Sequence, residues 1–195
     1  MASRIISRIS PKTSALFVCD IQEKFRPITA YYPEIVEVAR RMIGASHSLG
    51  MHIVATEQYP KGLGPTVAEL ELSKFNISAF AKTNFSMCIP EVMKTLPKEN
   101  ESIILVGIAA HVCILQSAMD LMEQGKDVHV IVDAVSAVNL TERKYAFEAL
   151  KEAGAKLRTS ESVIYELLKG SGHPNFKAVQ SFIKTSAPDS GLMDL

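Results

Sequence analysis

Short apolar segments alternate with amphipathic segments along nearly the whole chain. The apolar segments IILVGI at 103–108 and VHVIVD at 128–133 are continuous and rich in β-branched residues, which is typical of strands covered on both faces. We predict six strands, at residues 15–19, 52–56, 77–81, 102–108, 128–132 and 156–159. The alternation of strands with helices predicts one parallel sheet with right-handed crossovers.

Helices are predicted between these strands from apolar residues at helical spacing and from glycines at segment ends. Residues 34–48 show this spacing, and Gly50 follows as a stop signal. The other predicted helices are one over 112–123 that ends before Gly125, one capped by Thr141 that ends at Gly154, and one capped by Ser160 or Ser162 that reaches Leu168. The fold class is therefore α/β, a three-layer α/β/α sandwich with a Rossmann-like parallel sheet.

The length of the chain, 195 residues, fits a single α/β domain with a full hydrophobic core. We predict that this domain covers residues 13–185, with an N-terminal extension at 1–12 and a C-terminal tail at 186–195. The tail is predicted to lie on the surface or to reach a partner subunit.

Charge and composition favour a small-molecule substrate over a polyanionic partner. Hydrophobic residues make up 47% and charged residues 22% of the chain, as in an ordinary globular protein. The 21 basic and 21 acidic residues cancel, so we expect neither nucleic acid nor a membrane as a partner. The absence of net charge also permits self-association.

Cysteine usage and the N-terminal sequence bear on the location of the protein. The three cysteines have no metal-type spacing and no disulfide framework, which favours a reducing compartment. The first residues include Arg4, Arg8 and several serines, with no acidic residue before Asp20, a weak transit-peptide pattern. We predict a cytoplasmic location, with mitochondrial import as the alternative.

Three reactive side chains fall at the ends of predicted strands. Asp20 follows the first strand, Lys82 follows the third, and Cys113 lies in the turn after the fourth. In a doubly wound parallel sheet the site lies at the carboxyl ends of the strands. The sequence therefore predicts that a carboxylate, an ammonium and a thiol meet at one edge of the sheet.

This combination is suited to nucleophilic catalysis. A thiol in the first turn of a helix faces unpaired N–H groups, which favour the thiolate. Asp20 can accept the thiol proton and pass it to a leaving group, and Lys82 keeps that carboxylate charged. The backbone N–H groups of Ala109 and Cys113 are candidates for an oxyanion hole. Considered separately, each of the three residues also fits a role without catalytic function, as a buried thiol, a loop carboxylate or a surface lysine.

Other candidate residues are weaker. Cys19 and Cys88 are interpreted as structural, and His111 cannot be assigned to a Cys–His dyad because residues two apart on a helix do not face each other. No metal-ligand motif, G-x-G-x-x-G or phosphate-binding loop is present in the sequence, so we expect no metal and no cofactor. The predicted substrate-pocket residues, each with a core or surface role as the alternative, are Phe25, Glu57, Tyr59, Phe85 and His111.

Three segments resemble the motifs of isochorismatase-like cysteine hydrolases: LFVCDIQEKF, AKTNFS, and VGIAAHVCILQSAMDLMEQGKDVHVIVDAVSA. Further segments, such as TEQYPKGLGPTVAEL, resemble the eukaryotic isochorismatase domain-containing proteins. The resemblance implies a sheet of order 3-2-1-4-5-6 and a homo-oligomer, a dimer or larger. It implies the triad Asp20, Lys82 and Cys113, and a cis peptide bond between Ile108 and Ala109.

The same resemblance implies hydrolysis of a small amide or related C–N bond through a thioester on Cys113. The histidine-containing zinc motif of nicotinamidases is missing, since that stretch reads TEQYPKGLG with Glu57. Two alternatives remain open. The chain could be a catalytically silent protein of this fold that binds or regulates a partner, or a redox-sensing protein in which Cys113 is oxidised without hydrolysis.

Overall fold

Six parallel strands form one sheet in the computed structural model, which describes residues 8–195. Their order is β3-β2-β1-β4-β5-β6, so the predicted fold class and strand order are confirmed. The strands are β1 (Ser14–Cys19), β2 (His52–Gln58), β3 (Ala79–Lys82), β4 (Ser102–Ile108), β5 (Asp127–Ser136) and β6 (Lys156–Arg158). Every residue of β1 and β4 is buried, as expected for central strands covered on both faces.

Helices cover both faces of the sheet. They are α1 (Tyr32–Ser48), α2 (Pro60–Leu63), α3 (Pro90–Met93), α4 (Leu115–Glu123), α5 (Leu140–Ala153), α6 (Ser160–Leu168) and α7 (Phe176–Ile183). One apolar core lies between the sheet and α1, α6 and α7, and the other lies between the sheet and α4 and α5. The structure therefore has three layers.

Two strands differ in extent from their predicted ranges. The strand β3 begins at Ala79 rather than at residue 77 and includes Lys82. The strand β5 continues to Ser136, and the chain stays buried past residue 132 even though Asp133 and Ser136 are polar. A register shift against β4, between Leu105 and Gly107, accommodates this longer strand.

The helix caps were predicted wrongly at two places. Asn139, not Thr141, caps α5, and its side-chain oxygen accepts a hydrogen bond from the backbone N–H of Glu142 at 2.8 Å. Thr159 is the N-cap residue of α6, in place of Ser160 or Ser162. The N–H and hydroxyl of Ser160 instead donate to the carboxylate of Asp133 within β5, a tertiary contact that local sequence does not reveal.

Both ends of the described chain pack on the domain. Ile9 is buried in the core, so the packed domain begins before residue 13. The first seven residues, which include most of the transit-peptide pattern, lie outside the described residues. The tail at 186–195 folds back onto its own chain, where buried Arg143 donates a hydrogen bond to the carbonyl of Ser190 and Tyr31 donates one to Asp194. Across residues 8–195, no helix has the length and apolar character needed to cross a membrane.

Gly107 is required where β4 passes β1. Its φ is +118°, and a Cβ atom at this position would lie 2.1 Å from the carbonyl oxygen of Cys19. We expect Gly107→Ala to lower the free energy of unfolding by about 3 kcal/mol or more, because backbone strain and overlap with a fixed backbone add. Gly172→Ala is the matched control, since nothing lies within 4 Å of its added Cβ. Chemical denaturation of both variants measures the difference, and equal effects would contradict this role of Gly107.

Candidate active site

Three segments deliver the predicted residues to one edge of the sheet. Asp20 directly follows β1 with a left-handed backbone (φ 49°), and Lys82 is the last residue of β3. Cys113 lies in a π-helical turn, Ala110–Ile114, between β4 and α4. The sequence predicted an α-helix from residue 112, but α4 begins only at Leu115. Such π-helical turns are rare in proteins and recur at functional sites.

A buried ion pair lies at the centre of this edge. The ammonium of Lys82 is 2.7 Å from the Asp20 carboxylate, and neither side chain has exposed surface. The same ammonium donates to the side-chain oxygen of Gln58 at 2.7 Å and to the carbonyls of Asn84 and Phe85 at 3.1 and 2.9 Å. With four oxygen atoms around its three N–H groups, the buried ammonium of Lys82 has all of its hydrogen-bonding capacity satisfied by protein atoms.

The electrostatic surroundings keep Lys82 charged. Burial by itself lowers the pKa of Lys82, but the negative charge of Asp20 and the hydrogen bond to its carboxylate raise that pKa above its ordinary value of 10.5. The other carboxylate oxygen of Asp20 accepts a hydrogen bond from the hydroxyl of Thr56 at 2.8 Å. Asp20 is therefore held on both oxygens.

Two thiols adjoin this carboxylate. The sulfurs of Cys19 and Cys113 and a carboxylate oxygen of Asp20 all lie within 4.8 Å of one another, and all three residues are buried. Cys19 donates to Asp20 at 3.4 Å. Burial, the contact with Cys113 and the charge of Asp20 raise the pKa of the Cys19 thiol well above its ordinary value. Cys19 is therefore a site residue, which the sequence analysis interpreted as structural.

The turn after β4 shapes the surroundings of Cys113. The peptide bond Ile108–Ala109 is cis, at the position that the family resemblance implies. The carbonyl of Ala109 accepts hydrogen bonds from the N–H groups of Val112 and Ile114, and the carbonyl of Cys113 accepts one from Ser117 at 2.6 Å. The side-chain nitrogen Nδ1 of His111 is buried without a hydrogen-bond partner among the described residues.

The remaining predicted pocket residues occupy different positions. Tyr59, 55% exposed, borders a cavity of about 520 Å³ whose wall includes Lys82 but not Cys113. Glu57 accepts hydrogen bonds from the N–H and hydroxyl of Thr66, so it holds the loop after α2. Phe25 packs against the core on the α1 side, and Phe85, 51% exposed, contributes its carbonyl to Lys82.

A network of amide side chains, not predicted from the sequence, lies beside the ion pair. Gln22 accepts a hydrogen bond from the N–H of Gln58 at 2.7 Å and donates to the carbonyls of Gln58 and Gly64. Gln58 in turn binds Lys82 and donates to the carbonyl of Thr83. Gln22 and Gln58 lie in the segments DIQ and TEQ, near the ends of β1 and β2. A single polar residue near the end of a strand does not by itself predict a functional site.

The same edge also offers metal-ligand chemistry, although the sequence contains no metal-ligand motif. Cys19, Asp20 and Cys113 each provide one donor atom to a compact buried group. The Lys82 ammonium is already bonded to the Asp20 carboxylate, so a cation there would compete with it. As it stands, the arrangement is a salt bridge with two adjacent thiols.

Known proteins are similar to this chain in sequence and in fold. The isochorismatase domain matches residues 14–162, so the chain belongs to the isochorismatase family. The relatives with curated names include isochorismatase domain-containing protein 2 of Xenopus laevis, which is 45% identical over 194 residues, 98% of this chain and 94% of the relative. The resemblance drawn from the three motifs is thereby confirmed.

Solved structures extend the comparison. The MAR1 ribonuclease of Caenorhabditis elegans is 53% identical, with a TM-score of 0.91 over 95% of this chain and 97% of the other. The YcaC gene product of Escherichia coli, described as an octameric hydrolase of unknown specificity, superposes with a TM-score of 0.86 over 98% of this chain and 97% of the other. At 21% identity, YcaC shows the fold alone. The chain has an isochorismatase-family hydrolase fold in which Cys19, Asp20 and Cys113 are buried together.

We expect Asp20→Asn to lower the free energy of unfolding by about 3 kcal/mol, because it leaves the buried Lys82 ammonium without its countercharge. Glu23→Gln is the matched control, since Glu23 pairs with Arg26 in a partly exposed ion pair. That loss should cost less than about 1 kcal/mol. Urea denaturation at neutral pH gives both values. Equal destabilisation by the two substitutions would show that the buried pair has no special weight in the fold.

Proposed function

We propose that the protein hydrolyses a small amide or a related C–N bond, with Cys113 as nucleophile and Asp20 and Lys82 as its partners. The observation that carries this proposal is the cluster at the sheet edge, where the Cys113 sulfur lies within 4.8 Å of the Asp20 carboxylate. Lys82 is bonded to that carboxylate at 2.7 Å. A thiol, a base and a fixed positive charge are the parts that covalent acyl transfer needs.

In the proposed mechanism, Asp20 takes the proton of the Cys113 thiol, and the sulfur attacks the carbonyl carbon of the substrate. The N–H groups of Ala109 and Cys113 stabilise the resulting oxyanion. The C–N bond then breaks, and the departing nitrogen takes the proton from Asp20. Water, deprotonated by Asp20, attacks the thioester and releases the acid together with the free thiol.

The buried state of the site argues for a small substrate. Cys113 is 5% exposed, and Asp20 and Lys82 have no exposed side-chain surface. A compact amide or urea can reach such a sulfur after a modest opening of the loops around it. We assign substrate contacts to Tyr59, beside the cavity next to Lys82, and to Phe25, Glu57, Phe85 and His111 after such an opening.

We also propose that the protein acts as a homo-oligomer. The YcaC protein that shares the fold is described as octameric. The large hydrophobic residues Tyr59, Phe85 and Ile28 are each about half exposed. A second copy that covers some of these residues would remove apolar surface from water.

A panel of small amides, ureas and vinyl ethers tests the proposed reaction. We expect at least one amide or urea to be turned over by the wild-type protein, and Cys113→Ala to lower kcat by more than about a thousandfold. Cys88→Ala is the matched control and should retain activity, because Cys88 lies outside the cluster. Turnover that survives in Cys113→Ala would contradict a covalent mechanism. Failure of the whole panel, with partner binding unchanged by Cys113→Ala, would favour the catalytically silent alternative.

Alkylation tests the activated thiol without knowledge of the substrate. We expect iodoacetamide to modify Cys113 before Cys19 and Cys88, because Asp20 accepts its proton, and we expect Asp20→Asn to slow that reaction. Peptide mapping by mass spectrometry gives the three rates. Equal rates at all three cysteines would argue against an activated nucleophile.

RNA cleavage is a second candidate function, because the 53% identical protein of Caenorhabditis elegans is described as a ribonuclease. The buried cluster and the zero net charge of the chain favour a small substrate instead. Incubation with end-labelled single-stranded RNA separates the two. We expect no cleavage beyond that of Cys113→Ala. Cleavage that depends on Cys113, without turnover of any amide, would replace our proposal.

A further inference from the structure

We propose that Cys19 is a resolving thiol, which forms a reversible disulfide with Cys113 when hydrogen peroxide oxidises Cys113. The proposal assigns a role to a buried cysteine that the hydrolytic mechanism does not use. It goes beyond the proposed function, and disulfide formation can be measured on the protein itself without any substrate.

The geometry of the two thiols supports this pairing. Their sulfurs lie within 4.8 Å of each other, and both belong to the same buried group as the Asp20 carboxylate. A disulfide needs an S–S length of about 2.05 Å. A change of rotamer at one cysteine moves its sulfur by roughly 3 Å, which is enough to close the gap without unfolding the strand.

The exposure of the two cysteines in the cluster determines which one peroxide oxidises and which one resolves the sulfenic acid. Cys113 is 5% exposed, while Cys19 is completely buried at the end of β1. Peroxide therefore reaches the Cys113 sulfur first. Cys88 is half-buried and more accessible than Cys113, but it lies outside the cluster, and burial raises its pKa to about 11, so less of it is the thiolate that peroxide attacks.

The adjacent carboxylate enables the second step. The Cys19 thiol already donates a hydrogen bond to Asp20, at 3.4 Å. Burial and the contact with Cys113 raise the pKa of this thiol, so it stays protonated until a base removes its proton. Asp20 is that base, and Lys82 is bonded to the same carboxylate oxygen that Cys19 contacts.

The reaction balances with hydrogen peroxide as the only oxidant. Asp20 first takes the proton of the Cys113 thiol, and the thiolate attacks one peroxide oxygen. The S–O bond of a sulfenic acid forms as the O–O bond breaks, and the departing hydroxide takes the proton from Asp20 and leaves as water. Cys19 then gives its proton to Asp20, and its thiolate attacks the Cys113 sulfur. The S–O bond breaks, and the departing hydroxide takes the proton from Asp20 and leaves as water. Cys113 loses two electrons to peroxide in the first step, and the second step redistributes the oxidation over both sulfurs.

Disulfide formation would protect Cys113 from irreversible oxidation. A sulfenic acid that finds no thiol proceeds to sulfinic and sulfonic acids. A disulfide can be reduced again, so the nucleophile is recovered. Where Cys113 is the nucleophile of the proposed function, the disulfide also switches hydrolysis off until a reductant restores the thiol.

Peptide mapping after peroxide treatment tests the proposal. The wild-type protein is exposed to hydrogen peroxide, denatured in N-ethylmaleimide and digested with trypsin. The three cysteines fall in different tryptic peptides, at 13–24, 83–94 and 99–126. We expect a cross-linked pair of 13–24 with 99–126 that disappears on reduction. The pair should be absent from Cys19→Ser and Cys113→Ala, and Cys88→Ala should form it as the wild type does.

Dimedone labelling adds a second readout. In Cys19→Ser and Cys19→Ala we expect the Cys113 sulfenic acid to accumulate and to proceed to sulfinic acid at least several times faster than in the wild type. Formation of sulfinic acid at the same rate in wild type and variants, with no cross-linked pair, would overturn the proposal. So would a cross-link that joins Cys88 to Cys113. These outcomes are independent of turnover, so failure of the hydrolase proposal does not affect them.

Discussion

The ion pair between Asp20 and Lys82 crosses an entire strand. Lys82 ends β3, Asp20 follows β1, and β2 lies between them in the sheet. Adjacent strands are about 4.8 Å apart, so only a long side chain can span this distance. Thr56 and Gln58 on the intervening β2 bind the carboxylate and the ammonium. Because two buried charges are costly unless well partnered, this network fixes the relative positions of three strand ends.

The thiols depend on that fixed carboxylate. Asp20 is next to Cys19 in sequence and within 4.8 Å of the Cys113 sulfur, although 93 residues separate Asp20 from Cys113. A carboxylate held by Lys82 and Thr56 cannot turn away from either sulfur without the loss of buried hydrogen bonds. One proton acceptor can therefore serve two thiols, and the exposure of the thiols decides which reacts first.

Sequence patterns predicted the sheet and the convergence of three side chains well, because buried parallel strands are continuous apolar runs and their carboxyl ends meet at one edge. Cys19 was missed for a physical reason. Side chains of neighbouring residues on a strand point to opposite faces of the sheet. The sequence pattern therefore predicts that the side chains of Cys19 and Asp20 lie on different faces. The left-handed backbone at Asp20 ends that alternation, and an aspartate at this position does not by itself predict this conformation.

Long-range polar contacts could not be predicted from the sequence either. Asp133 replaces a local cap at α6, Gln22 links the end of β2 to Gly64, and Arg143 anchors the tail at Ser190. Each joins segments that are far apart in the chain and leaves no periodic signal. Their partners become evident only when the sheet order brings the segments together.

The central claim, that Cys113 is a nucleophile poised beside a proton acceptor, is tested most directly with an activated acyl donor. Rapid mixing with p-nitrophenyl acetate should release a burst of one p-nitrophenolate per chain and leave an acetyl group on peptide 99–126 after acid quench. Neither should occur in Cys113→Ala. Acetylation spread over surface lysines, with the same time course in both proteins, would contradict the account.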